Sequence, residues 1–368
     1  MKCNNLCKFA SEKNDMTDTV TKAKILRLES MFEAASRISV VTHTRPDGDA
    51  VGSASAMVCL LRGRGKDARL LFPNGYPDNL AFVIGETCEG HVMLCDREPD
   101  AVKDWIAGSD LVIGLDFSSF DRAEGMQEAL WASRSSKLLI DHHIDPQEKD
   151  FDLVFSEMEI SSTCELLFYI LLETSEVEGD ASKLPMPVLR ALMTGMTTDT
   201  NNFANSVFPS TFGMASRMLE AGVDRDGILA ELYDRCRENR LRMTGHLLKD
   251  NMRIFPNGVS CIVARRSELE EYDIREGETE GIVNMPLTLD KVRMSIFLRE
   301  DNGFFRVSIR SKRGTSAFRL ASTRFHGGGH EQAAGGRLYF PGDIADASMA
   351  EAFLERITDE YFKTGNEN

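Results

Sequence analysis

Apolar residues along this chain fall into two periods. Short runs of four or so, bounded by turn residues, read as strands buried on both faces: Ile38-Ser39-Val40-Val41, residues 68–72, residues 91–95, residues 110–115 and Lys137-Leu138-Leu139-Ile140. Between them the spacing is helical. Residues 21–35 set Ile25, Leu26, Leu28, Met31 and Phe32 on one stripe. A small-residue helix is expected over 50–62, and further helices over 162–174 and 184–196, the last opened by Pro185 and Pro187. Alternating strands and helices predict an α/β fold with a doubly wound parallel sheet.

The pattern changes after about residue 205. Helices are expected over 212–221 and 227–235, then strands over 259–264, 292–298 and 304–309. A helix over 315–325, a glycine-rich loop, a strand over 337–340 and a helix over 349–361 complete a smaller α+β unit with a mixed sheet. A chain of 368 residues suits two domains. The expected division is a disordered segment over 1–20, an α/β domain over 21–205, a helical linker over 206–245 and a second domain over 246–368.

A net charge of −15 argues against tracking duplex DNA, whose phosphates call for a basic surface. Eight cysteines without a CxxC pair fit the reduced thiols of a cytoplasmic protein. Residues 1–15 lack the apolar stretch of a signal peptide, and no run of eighteen apolar residues suggests a membrane span.

Chemistry gathers where the strands end. The first is followed by His43-Thr44-Arg45-Pro46-Asp47-Gly48-Asp49, the strand over 110–115 by Asp116, and the next by Asp141-His142-His143. In open parallel sheets, sites form beyond the carboxyl ends of strands. Each cluster alone has a plain reading. Asp47-Gly48-Asp49 is a turn or a helix cap, Asp116 a cap or a functional group, His142 and His143 a surface pair, and Asp199 in Thr197-Thr198-Asp199 a turn residue. Their conjunction is what points to metal. His43, Asp47, Asp49, Asp116, His142 and Asp199 offer four carboxylates and two imidazoles without thiolate, a set that favours Mn²⁺, Mg²⁺ or Co²⁺ over structural zinc. Six ligands exceed the needs of one ion, and two ions bridged by an aspartate fit better. A second signal, Gly327-Gly328-Gly329-His330, lies downstream of Arg310 on a cation-rich strand end, and together they suggest an anion clamp.

Taken in order, these motifs resemble the DHH phosphoesterase family with a C-terminal domain of the DHHA1 type, over about residues 30–345. They are most like its short members that act as oligoribonucleases and 3′-phosphoadenosine-5′-phosphate (pAp) phosphatases. The resemblance implies two Mn²⁺ ions, one on His43, Asp47 and Asp116, the other on Asp49, Asp116, His142 and Asp199. It implies that His143 faces the scissile phosphate, that Asp141 orients a neighbouring histidine, and that Arg310 with Gly327, Gly328, Gly329 and His330 binds the far phosphate of a nucleotide. The implied reaction is hydrolysis of short RNA and pAp by a bridging-hydroxide two-metal mechanism, with Asp116 and His143 catalytic, in a chain that forms a homodimer. Hydrolysis of cyclic or linear dinucleotides, and a silent nucleotide-binding module, are the alternatives. The family's loop commonly has a fourth leading glycine, and His326 stands in its place.

Overall fold

A computed structural model describes residues 19–363, so the expectation of disorder over 1–20 lies almost entirely outside the described residues. The chain divides into two compact units after Arg235.

Six strands build the sheet of the first unit: β1 (Arg37–Val41), β2 (Asp67–Phe72), β3 (Val92–Leu94), β4 (Leu111–Leu115), β5 (Ser136–Asp141) and β6 (Leu153–Ser156). Their order is β3-β2-β1-β4-β5-β6, and every neighbouring pair is parallel. The chain therefore runs outward from β1, returns, and lays β4 on the other side of β1, pairing Val41 with Gly114. This reversal is the topological switch point, where neighbouring connections leave in opposite directions and open a crevice.

Among the described residues, nine α-helices accompany this sheet: α1 (Lys22–Ala34), α2 (Gly48–Gly63), α3 (Ala81–Thr87), α4 (Pro99–Ala107), α5 (Gln127–Ala132), α6 (Thr163–Leu172), α7 (Met186–Asp199), α8 (Pro209–Glu220) and α9 (Arg225–Tyr233). They cover both faces, because alternate strand residues point to opposite sides. Ile38, Val40, Leu70, Ile113, Leu115 and Ile140 pack with Leu28, Met57, Phe168 and Leu192 on one side. Val41, Leu71 and Val112 pack with Trp105, Ile106 and Leu130 on the other. Doubly covered strands explain why the sequence runs were continuously apolar.

The second unit contains α10 (Glu238–His246), β7 (Met252–Ile254), β8 (Val259–Ala264), α11 (Arg266–Glu271), β9 (Met294–Asp301), β10 (Phe304–Ser311), α12 (Ala317–Arg324), β11 (Gly328–Gly329), β12 (Ala333–Tyr339) and α13 (Ala350–Lys363). Its sheet runs β11-β12-β10-β9-β8-β7 and is mixed: β8 and β9 are parallel, the other pairs antiparallel. Ile296, Val307, Ile309 and Leu338 pack against Leu320, Leu354 and Ile357. The segment 206–245 is largely helical; α8 and α9 fall in the first unit and α10 in the second.

The glycine-rich stretch differs from the loop expected. It is a hairpin in which Gly328 pairs with Gly335 and Gly329 with Ala334, and β12 starts at Ala333 rather than at 337. Glycine is required there by close backbone approach. A Cβ on Gly327 would stand 1.9 Å from Gly335 O, and one on Gly336 2.2 Å from Phe325 O. The six cysteines among the described residues are all free thiols. No helix among them is long and apolar enough to cross a membrane.

Candidate metal centre

The segment after β1 turns so that His43 is buried. Its Nδ1 lies 3.0 Å from Thr44 O, which leaves Nε2 facing Asp116 Oδ2 at 3.5 Å and Asp47 Oδ1 at 3.8 Å. Asp47 also caps α2, accepting from the amides of Asp49 and Ala50. The cap and the candidate ligand are thus the same carboxylate. Asp49, in the first turn of α2, is buried and held from outside: Oδ2 accepts from Thr163 N at 2.7 Å and Oδ1 from Cys164 N at 2.9 Å. These are the first two amides of α6, where the helix dipole favours an anion.

Asp116 follows β4 with a left-handed φ of 64°, a conformation disfavoured for a residue with a Cβ and concentrated at functional sites. Its Oδ1 accepts from Thr163 Oγ1 at 3.1 Å. Asp141 ends β5 fully buried; its Oδ1 is 2.8 Å from His143 Nδ1, and its Oδ2 meets no hydrogen-bond donor among the described residues. His142 Nε2 stands 3.6 Å from Asp116 Oδ1, 3.6 Å from Asp199 Oδ2 and 3.8 Å from Asp49 Oδ2. The rings of His142 and His143 meet edge to face with centroids 4.8 Å apart.

Asp199 ends α7, and glycines bring it in. A Cβ on Gly48 would stand 2.1 Å from Thr198 Oγ1; one on Gly195 would stand 2.3 Å from Cys164 Sγ and 3.1 Å from Asp49 Cα. Helices α2 and α7 touch backbone to backbone, so their two acidic ends meet.

Three overlapping groups can each hold an ion: His43, Asp47 and Asp116; Asp49, His142 and Asp199; and Asp116, His142 and His143. Their imidazole–carboxylate separations of 3.5–3.8 Å exceed hydrogen-bond lengths. Two atoms each about 2.1 Å from one cation stand about 3 to 3.7 Å apart across ordinary coordination angles. The charges agree. Burial, then the neighbouring Asp49, holds the Asp116 carboxyl well above the usual range, and the same two causes push Asp199 up to about 9. Burial also lowers His142. Burial would lower His43 as well, but the carboxylates of Asp116 and Asp47 outweigh it and hold the imidazole at about 10. The Asp47 side chain is exposed; the protein packed around it would raise its carboxyl, but His43 and the amides of Ala50 and Asp49 outweigh this and lower it to about 2. Without a cation, the cluster retains protons to offset its charge; a divalent ion fits this environment and supplies the missing positive charge.

The six expected ligands therefore lie together, with Asp141 and His143 beside them. Arg310, Gly327, Gly328, Gly329 and His330 form a separate group in the second unit. Arg310 pairs with Ala333 across β10 and β12, and His330 N donates to Ala333 O at 2.8 Å. Thr163 and Gly195 were not singled out from the sequence. The only signal was Ser162-x-x-Glu165, a helix-start pattern, and Ser162 indeed caps α6.

Fold and site together define a two-unit α/β protein with a carboxylate–imidazole cluster, able to hold a metal ion, at the switch point of its parallel sheet. Residues 37–196 match the DHH family N-terminal domain and residues 258–360 the DHHA1 domain. Two bacterial relatives are each named bifunctional oligoribonuclease and PAP phosphatase NrnA. The Thermus thermophilus protein is 30% identical, covering 89% of this chain and 91% of its own. The Bacillus subtilis protein is 25% identical, covering 92% and 99%. Among solved structures, an exopolyphosphatase-related protein from Bacteroides fragilis superposes with a TM-score of 0.84 at 32% identity, covering 93% of this chain and 97% of that one. The chain belongs to the DHH family and carries its DHHA1 domain.

Proposed function

We propose that this chain is a metal-dependent phosphoesterase that hydrolyses short oligoribonucleotides and pAp. The convergence of His43, Asp47, Asp49, Asp116, His142 and Asp199 beyond β1, β4 and β5 and at the end of α7 carries the reading, and the names of the two relatives support its substrate class. Two divalent cations, Mn²⁺ first, would be held by His43, Asp47 and Asp116 and by Asp49, Asp116, His142 and Asp199. Such ions lower the pKa of bound water and offset charge on phosphoryl oxygens.

The protein's own groups do the rest. The amides at the start of α6 fix Asp49, and Thr163 fixes Asp116. Asp141 holds Nδ1 of His143, which orients that imidazole for a donor role toward a phosphoryl or leaving oxygen. Arg310 and the hairpin from Gly327 to His330 bind a terminal phosphate, Arg310 as a cation and the hairpin through closely approachable backbone.

The test is a hydrolysis panel with Mn²⁺: pAp, a 5′-phosphorylated RNA dinucleotide, cyclic di-AMP and polyphosphate, with Asp116→Asn as blank. Release of mononucleotide from the dinucleotide and of phosphate from pAp is expected, with the blank at least a hundredfold slower. Preferential cleavage of cyclic di-AMP or polyphosphate would replace the substrate assignment, and full turnover by Asp116→Asn would sink the metal scheme.

A further inference from the structure

His326 is this chain's departure from its family's glycine pattern, and the structure gives it surroundings that a phosphate-binding hairpin does not need. Its φ is 47°, a conformation that glycine takes freely and other residues do not. The side chain is 58% exposed, yet its position is fixed: Nε2 is 3.0 Å from Asp343 Oδ1, and the ring stands edge-on to Tyr339 with centroids 5.5 Å apart. Tyr339 is itself 37% exposed and lies 5.8 Å from the half-buried Phe304 across the strand pair. Three aromatic rings are thus held in one row beside the hairpin.

Charge accompanies them. Arg299, Arg306 and Arg337 stand opposite one another on neighbouring strands, an arrangement that costs stability unless neutralised. Glu276 meets Arg299 and Arg306, and Asp301 also meets Arg306. Arg337 meets no carboxylate among the described residues. Its guanidinium lies 5.3 Å from the Phe304 ring centroid and 3.4 Å from the Tyr339 hydroxyl. An exposed cation over aromatic rings is how single-stranded nucleic acid is gripped: a base stacks on the rings while the cation meets its phosphate. The row begins four residues before His330 at the hairpin tip, a reach of at most about 13 Å along the chain.

We propose that His326, Tyr339, Phe304 and Arg337 form a stacking platform for the nucleobase next to the phosphate held by the hairpin. The proposal rests on the short-oligoribonucleotide reading above and deepens it: base as well as phosphate is recognised, and His326 is a specificity residue of this chain.

The experiment uses the full chain in EDTA, so that binding is read without turnover, and a 5′-phosphorylated dinucleotide with fluorescent 2-aminopurine at its 5′ position. Stacking quenches this base. Quenching on binding is expected, with affinity about tenfold lower in His326→Gly and in Tyr339→Leu, and with no such loss for a dinucleotide abasic at that position. His326→Gly relieves the positive φ, so it keeps the fold, which a thermal melt verifies. Unchanged quenching and affinity in both variants would overturn the platform, as would absent quenching or absent binding in the unaltered chain. Quenching that persists in a protein inactive with Mn²⁺ on every nucleotide would instead overturn the hydrolase reading and leave the platform standing.

Discussion

Thr163 holds two carboxylates at once: its amide bonds Asp49 and its hydroxyl bonds Asp116. Thr163→Val keeps the amide and the shape but removes the hydroxyl. A hydrogen bond to a charged group is worth about 1.5–3 kcal/mol, so Mn²⁺ affinity is expected to fall about tenfold or more, and Thr163→Ser to restore it. Titration of Mn²⁺ by electron paramagnetic resonance reads this directly, and equal affinity in all three proteins would remove Thr163 from the site. A second residue-scale expectation concerns pH. Asp199 at about 9, Asp116 raised and His43 at about 10 all bind their protons more tightly folded than unfolded. Each contributes stability that is full below its unfolded pKa and lost as pH rises through the folded one. From pH 7 to 8.5 Asp199 and His43 act together, so Tm of the metal-free protein should fall. Asp47 works only in acid, its contribution lost as pH falls through about 2, and the contribution of His142 is complete above pH 6.5. Added Mn²⁺ should therefore raise Tm more at pH 8.5 than at pH 7; a flat profile in EDTA would contradict the charge arrangement. The six candidate ligands were legible because each follows an apolar run or helix. Thr163 was not, because its partners lie 114 and 47 residues away and threonine at a helix start is common.

At the scale of elements, the contact between α2 and α7 sets the distance between Asp49 and Asp199. Gly195→Ala would push a methyl into Cys164 Sγ and the backbone of α2. A cost of about 1–3 kcal/mol is expected, as for other overpacked sites, together with weaker Mn²⁺ binding. Gly63→Ala, near the open end of α2 with nothing within 4 Å, is the control and should gain about 0.5 kcal/mol. Urea unfolding of the two variants checks both. Long elements were legible because burial on both sheet faces leaves an unbroken apolar signal. The helices α3 and α5, of seven and six residues, are too short for their period to stand out. The pairing of β11 with β12 was hidden because glycine and alanine carry no strand preference; only the close backbone approach at Gly327 and Gly336 explains them.

At the scale of the molecule, each unit has its own core, one around a parallel sheet and the other around a mixed one. The candidate ligands all belong to the first. Calorimetry is expected to show two transitions, of which Mn²⁺ raises one and leaves the other in place. A single transition that shifts as a whole would mean that the units melt together.

The hairpin also has a consequence for which sequences can occupy it. Gly327, Gly329 and Gly336 are closed to substitution by their own neighbours, whereas Gly328 would place a Cβ no nearer than 3.9 Å to Phe318. Position 326 already carries a side chain. Among positions 326–329 and 336, a population of variants selected for folding alone should therefore vary at 328, and at 326 within the residues that a φ of 47° admits, while the other three stay glycine. If selection for activity also closes 328, the reason lies outside the fold, in whatever must come close to that backbone.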